Sequence, residues 1–387
     1  MIAARPTPFD VAVIGAGPAG ASAALALARG GRSVAVFEQA ALPRYKTCGG
    51  GVLARAFKLL PPAAESAVER RFTSVALNFA GTGLNFVVRR EQPLVYLAMR
   101  ASLDELLVRE AEKAGAQIIE SCPVKQVRDQ GESVEIVSGR GTYRAQFVVA
   151  ADGVYSATAK AAGWPTLTAL APALEHEIYL AEEDFARFST IPRFDFNTID
   201  GGYAWVFPKR AHLSVGMMST QRVCPQLAAR LADYLRALGI TRIQKVERHG
   251  YLIPLAPRRG PLARGRILLA GDAAGLVDPV TAEGITHAVL SGQLAAAALI
   301  EGRLEATRVA GLYQAFLEKE ILGELRAARF LANILYHHPH LRRAAFRLNG
   351  QALCEFTASV VMGDRRYAEA VKRPANYCQR PPAKPEA

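Results

Sequence analysis

The residues best suited to chemistry stand near the start of the chain. Gly15, Gly17 and Gly20 form G-x-G-x-x-G, and Glu38 follows at the end of the next apolar run. In that pattern the first glycine permits a tight turn and the second lets backbone approach a pyrophosphate. The third lets a helix pack closely on the preceding strand, with its N-terminus toward the phosphate charge. Ala19 lies inside the motif, and Glu38 is placed to accept hydrogen bonds from a ribose. Two further turns repeat the theme. Asp152-Gly153 and Gly271-Asp272 each follow an apolar run. An ionised Asp272 beside a buried strand requires donors, which ribityl hydroxyls would supply; capping of the next helix is the plainer alternative. Gly284 and Ile285 open a long helix whose positive end would favour an anionic reduced flavin ring. A nicotinamide enzyme needs only the first motif. FAD, spanning a whole sheet edge, accounts for all three.

Between the first two turns lies a loop with Pro43, Arg44, Lys46, Cys48 and Gly49 to Gly51. Its glycines could lie flat against a cofactor ring where a Cβ would collide. Cys48, the candidate catalytic residue, reads in two ways: a reactive thiol or proton shuttle beside cations, or a small packing residue. Arg44, Lys46 and Lys209 suit a diphosphate or phospholipid headgroup, or plain solvated charge. Tyr203, Trp205 and Phe207 alternate along a strand, so all three share one face. They form either ordinary core or a broad apolar wall that could stabilise positive charge on a reacting alkene.

These residues need a parallel-sheet scaffold. Val11 to Ile14 reads as a buried strand, Ala19 to Ala28 as a helix and Ser33 to Phe37 as a second strand. Phe72 to Phe79, Leu84 to Val88 and Leu94 to Ala98 read as further strands, and Ala101 to Ala114 as an amphipathic helix. Phe147 to Ala151 and Arg266 to Ala270 restore the parallel signal. From Pro172 to about Leu255 the texture is antiparallel, with one helix over Pro225 to Leu238. The predicted fold is α/β: a Rossmann-like FAD-binding domain (1–71, 95–172 and 256–309) and an antiparallel-sheet substrate domain (72–94 and 173–255). A helical, basic C-terminal region (310–387) completes it. The proline-rich tail from Pro374 reads as frayed.

Half of the 387 residues are hydrophobic and 21% are charged, the profile of a globular protein. No stretch of about 18 apolar residues lacks charge, so no spanning helix is expected. The first strand begins so early that no cleavable signal is expected. The five cysteines are scattered without C-x-x-C spacing, which points to reduced thiols, a cytoplasmic location and no metal site. His337, His338 and His340 cluster around Pro339 and read as a loop. Net charge is +12, and from Ile321 to Ala387 eleven Lys/Arg stand against five Asp/Glu. With no stacking motif for nucleic acid, the basic segments beside Phe330 to Leu335 and Leu341 to Leu348 suit peripheral contact with the inner face of a membrane, or form a plain solvated basic face.

The set GxGxxG, Asp152-Gly153 and Gly271-Asp272 resembles the FAD-binding fold of para-hydroxybenzoate hydroxylase and glutathione-reductase-like flavoproteins. More narrowly, PRYKTCGGGV (Pro43 to Val52) and YAWVFPK (Tyr203 to Lys209) resemble the geranylgeranyl reductase family, which reduces isolated double bonds of isoprenoid chains with reduced FAD. The resemblance extends to about Lys319 and, more weakly, into the C-terminus. It implies that Gly15, Gly17, Ala19, Gly20, Glu38 and Arg100 hold the adenosine and phosphates, with Val124 offering backbone to the adenine. Cys48, Gly49 and Gly51 would lie near the ring, Asp272 would bind ribityl, and Gly284 with Ile285 would meet the ring. Tyr203, Trp205, Phe207 and Lys209 would contact a prenyl-chain lipid, diphosphate, chlorophyll or quinone tail. The sequence shows no second dinucleotide fingerprint, so electrons would come from transiently bound NADPH or from a ferredoxin. Competing readings are a flavin monooxygenase or halogenase, whose W-x-W-x-I-P motif is absent here, and an electron-transfer flavoprotein.

Overall fold

A computed structural model describes residues 9–372. It opens with β1 (Phe9–Ile14), α1 (Pro18–Arg29) and β2 (Val34–Phe37) in the predicted order. After a long irregular loop come β3 (Gly51–Leu53), the short helix α2 (Ala54–Phe57), β4 (Val68–Phe72), β5 (Ser74–Phe79), β6 (Leu84–Arg89) and β7 (Val95–Ala98). Next are α3 (Arg100–Lys113), β8 (Gln117–Ile119), β9 (Val124–Asp129), β10 (Val134–Ser138) and β11 (Gly141–Ala150). Then follow α4 (Ala157–Ala161), β12 (Leu170–Leu180), α5 (Glu182–Ala186), β13 (Arg193–Phe196), β14 (Gly202–Pro208), β15 (Leu213–Ser219), α6 (Leu227–Ala237) and β16 (Ile243–Pro254). The last third holds β17 (Ala263–Arg264), β18 (Ile267–Leu269), α7 (Ile285–Glu301), α8 (Ala306–Leu317), α9 (Gly323–His337), α10 (Pro339–Met362) and α11 (Tyr367–Lys372).

The first sheet runs β17-β18-β11-β1-β2-β8, and β1 pairs in parallel with both β2 and β11. Its central strands are buried on both sides: Val11, Ala12, Val13, Val148 and Val149 have no exposed surface. This is why they read as unbroken apolar runs. The strand ends at Ile14, Ala150 and Leu269 sit side by side, so the three glycine turns gather at one edge, where ligands bind in open α/β sheets.

The second sheet runs β16-β12-β15-β14-β13-β5-β6. It departs from the expected antiparallel pattern at one place, because β13 pairs in parallel with β5. The predicted strand Phe72 to Phe79 is also divided. Residues up to Phe72 pair with β7 in a separate three-stranded sheet, whereas Ser74 onward pairs with β6 and β13. The change of partner falls at Thr73, too local a switch for apolar patterning to show. The triad around Pro339 is also not a plain loop: His338 stands between α9 and α10, and Pro339 begins α10. Proline is favoured there because its missing N–H would have no helical partner. The tail from Pro374 lies outside the described residues.

Candidate active site

One cavity of about 710 Å³ joins the two large sheets. Gly15, Gly17, Ala19, Glu38, Arg100 and Val124 line one end, with Cys48, Gly49, Gly51, Asp272, Gly284 and Ile285 also on its wall. Tyr203, Trp205 and Phe207 line it as well. Gly20 does not reach the cavity. A Cβ there would stand 1.9 Å from the Gly15 carbonyl oxygen, so Gly20 brings α1 against the turn. Gly15 itself holds φ +99°, a conformation that suits glycine.

The end at Gly17 is built for an anion. Helix α1 has no side-chain cap and no acidic residue in its first turn, so its N-terminal dipole is not opposed there. A Cβ on Gly17 would meet only the guanidinium groups of Arg44 and Arg100, both at 3.9 Å. Those arginines are aimed by acids beneath them. Arg100 makes two bonds of 2.8 Å to Asp104, which has no exposed surface, and Arg44 makes a third at 3.0 Å. Burial alone would pull Arg100 down, but Asp104 and, after it, Cys48 together more than offset it and hold it above its ordinary value. Glu38 is buried, accepts from the Ala16 and Ala40 N–H groups at 3.0 and 3.1 Å, and faces Arg44 at 3.2 Å. This corrects the substrate-headgroup reading of Arg44, whose guanidinium stands with that of Arg100 at the Gly17 end, held there by Glu38 and Asp104.

In the middle of the cavity the Cys48–Gly51 loop faces α7. The Cys48 thiol accepts from the Gly50 N–H at 3.3 Å and interacts with Arg100. The Cys48 N–H donates to Glu175 at 2.9 Å. Glu175 is buried, and it also accepts from Ser214 at 2.6 Å and from Tyr45 at 3.4 Å. Sequence reasoning missed this hub because its partners come from two segments far from it in the chain. Lys46 lies 3.3 Å from the centre of the Tyr251 ring, and burial, with Arg100 nearby, lowers it to about 8. Across from it, Asp272 is raised by desolvation, with Lys46 and Arg100 pulling the other way. At α7 the Thr286 N–H and O–H groups both donate to Glu283 at 2.7 Å, so part of that helix N-terminus is already occupied by a carboxylate.

The aromatic strand is fully buried, with its two faces divided. Tyr203, Trp205 and Phe207 join the core cluster beside the cavity, and Ala204 and Val206 join the cluster under α6. The Gly49 backbone packs on this wall, since a Cβ there would lie 3.1 Å from both Phe207 and Trp205. Lys209, the fourth residue at that spacing, is not on the wall. Strand β14 ends at Pro208, the Lys209 N–H bonds His212, and its ammonium donates to the Ala98 carbonyl at 2.9 Å. There burial holds it below its ordinary value. Beyond the wall the cavity is finished by residues that sequence reasoning did not place: Leu77 of β5, Phe346, Cys354, Ala358 and Val361 of α10, and Leu335 of α9. The spacing of 354, 358 and 361 is helical and was visible, but nothing in it separated a cavity face from ordinary core.

The loop before α7 is fastened from several sides. Tyr203 donates to the Thr281 carbonyl at 2.7 Å, Tyr336 to the Val280 carbonyl at 2.6 Å and Tyr367 to Asp278 at 3.2 Å. Arg55 bonds Asp278 at 2.8 Å and lies 3.6 Å from Glu283. Beside them His287 is buried, with Nδ1 lacking a partner among the described residues, and burial, followed by Arg55, lowers it to about 4. Among the described residues there is no cluster of three or more potential metal ligands, and no helix is long and apolar enough to cross a membrane.

Residues 8–194 match the family model described as FAD binding domain. Digeranylgeranylglycerophospholipid reductase 1 of Methanopyrus kandleri is 32% identical over 84% of this chain and 90% of its own length. The chloroplastic geranylgeranyl diphosphate reductase of Arabidopsis thaliana is 29% identical over 88% of this chain and 79% of its own. In fold, the chain is similar to a geranylgeranyl bacteriochlorophyll reductase-like protein of Thermoplasma acidophilum. The TM-score is 0.79 at 21% identity, covering 96% of this chain and 99% of that one. A flavin-dependent brominase shares the fold with a TM-score of 0.75 at 19% identity, covering 96% and 98%. A phosphate-ready turn and an apolar aromatic chamber thus share one cavity, in a chain whose relatives are similar along most of its length. The chain belongs to the geranylgeranyl reductase family of FAD-dependent oxidoreductases.

Proposed function

We propose that this chain reduces isolated carbon–carbon double bonds in the prenyl chain of a lipid, lipid precursor, chlorophyll or quinone. The observation that carries this reading is the single cavity running from Gly17 to the Tyr203–Trp205–Phe207 wall and on to α10. When bound and reduced, FAD supplies the hydride for such a reduction.

The residues present fit that cofactor. The uncapped α1 N-terminus, Arg44 and Arg100 would hold its pyrophosphate. Glu38 would meet the ribose, Val124 the adenine and Asp272 the ribityl hydroxyls. Burial makes an unpartnered Asp272 unfavourable, and hydroxyl donors would relieve this. Gly49, Gly51, Gly284 and Ile285 would approach the ring. The aromatic wall excludes water and presents π faces to positive charge developing on an alkene carbon. One proton must reach the neighbouring carbon of that double bond, leaving the carbon that bears the positive charge to take the hydride. Cys48 is on the cavity wall, and Cys48→Ala tests its part: lost turnover at unchanged FAD affinity assigns it chemistry, and unchanged turnover assigns it packing. The electron donor is NADPH or a ferredoxin, read directly from which of them bleaches the flavin.

The deciding experiment is anaerobic. The FAD-loaded protein is reduced, mixed with geranylgeranyl diphosphate or a geranylgeranylated lipid, and the products are weighed by mass spectrometry. Added hydrogens are expected. Full FAD occupancy with no mass gain on any prenyl compound would sink the proposal.

A further inference from the structure

The α9–α10 corner carries a surface that the catalytic cavity does not use. Phe330, Leu341 and Leu348 are exposed by 57%, 58% and 79%. Leu341 and Leu348 are seven residues apart and share one column of α10, while Arg343 and Arg347, four apart, form a second exposed column about a third of a turn round the helix. Val87 of β6 is also exposed, and its carbonyl accepts from Gln351 of α10 at 3.2 Å, which places it at the same edge. From Leu325 to Cys354 there is no aspartate or glutamate. Two of the arginines in this stretch are committed: Arg326 pairs with Glu318, and Arg342 bonds the Leu335 carbonyl and Asn197. Arg329, Arg343 and Arg347 are exposed and make no ion pair among the described residues.

Exposed large apolar side chains interleaved with unpaired cations, without a local anion, match an anionic lipid bilayer: cations at the headgroups and apolar side chains at the acyl boundary. The same two helices reach the cavity from their other side, through Leu335 of α9 and Phe346 of α10. We infer that the α9–α10 corner docks the protein on an anionic membrane surface, with Phe330, Leu341 and Leu348 inserted and Arg329, Arg343 and Arg347 on the headgroups. Docked this way, the wall of the substrate cavity lies against the bilayer that holds prenyl lipids. The inference rests on the prenyl-lipid reading for its purpose. Vesicle binding needs no turnover, however, so either can fail alone.

The test is co-sedimentation of the full-length, FAD-loaded protein with phosphatidylcholine vesicles, with and without phosphatidylglycerol. Binding is expected only with the anionic lipid, weakening as salt rises. Replacing all three arginines (R329Q, R343Q and R347Q) is expected to weaken it about 100-fold, since each cation near an anionic surface contributes about a fivefold factor. F330S, L341S and L348S together should leave a weaker, salt-sensitive association. Equal binding to both vesicle types overturns the inference, as does an arginine triple variant that binds like the parent. So does tight binding to duplex DNA or RNA that the serine variant leaves intact, because a nucleic-acid surface has no need of the leucines. Circular dichroism of each variant shows that α9 and α10 remain folded.

Discussion

Lys209 lies beneath Gly50. Its ammonium donates to the Ala98 carbonyl at 2.9 Å, and a Cβ on Gly50 would stand 2.1 Å from that same nitrogen. Gly50 also holds φ +69°, so a side chain there meets both backbone strain and a fixed neighbour. Gly50→Ala is expected to lose about 2–4 kcal/mol of stability in urea unfolding and to weaken FAD at least about tenfold by titration. Gly81→Ala is the control. Its φ is +72° but nothing lies within 4 Å, so the expected loss is about 1–2 kcal/mol with FAD affinity unchanged.

Asp104 has no exposed surface and holds Arg100 and Arg44 together. Asp104→Leu would leave two guanidinium groups side by side and is expected to destabilise the fold by about 3–5 kcal/mol. Arg100→Met combined with Asp104→Leu should lose less than the sum of the two single changes, because the second removes a group that the first left uncompensated. A double-mutant cycle by thermal unfolding checks this. The double variant should still bind FAD poorly, since the phosphate end has then lost a cation.

His287 makes stability depend on acid. Its folded value, about 4, lies below its ordinary value of 6.5, so the unfolded chain takes up the proton first as pH falls. Stability from this residue is complete above about pH 6.5 and is lost toward pH 4, by roughly 3 kcal/mol at most. Glu283, raised by burial, acts in the opposite sense. The difference between the parent and His287→Leu therefore carries the prediction, measured by denaturant unfolding from pH 4 to 7: the variant's acid limb should be the shallower.

Ala358 stands on the α10 wall at the far end of the cavity and is almost fully buried. Ala358→Phe should shorten the space open to a prenyl tail. Turnover per KM with a geranylgeranyl substrate is expected to fall about tenfold or more, while a geranyl substrate changes little. Equal losses on both would indicate a damaged fold instead, and the thermal midpoint separates the two.

The nucleotide end was legible because each requirement falls on a short, ordered stretch. Gly15 needs a positive φ, Gly20 needs no Cβ, and Val11 to Ile14 must be apolar on both faces. The aromatic wall was legible for the same reason: alternation assigns Tyr203, Trp205 and Phe207 to one side whatever lies beyond. Lys209 continues that alternation, and was misplaced because the strand stops one residue before it. Arg44 was misplaced because it sits in irregular chain, where no period says which way a side chain turns. Glu175, Asp278 and Tyr367 were missed altogether. Their partners lie far away in sequence, and a lone acid or tyrosine looks the same whether it ends in solvent or in a buried network.

The fastening of Val280, Thr281 and Asp278 by Tyr336, Tyr203 and Tyr367 bears on how the protein is born. The glycine-rich turn is translated long before Tyr336 and Tyr367, which supply two of the three hydroxyls that secure the opposite rim. A nascent chain can thus form its first sheet long before it can enclose a ligand. A chain lacking α9 to α11 would keep only the Tyr203 tether and would be left open-sided.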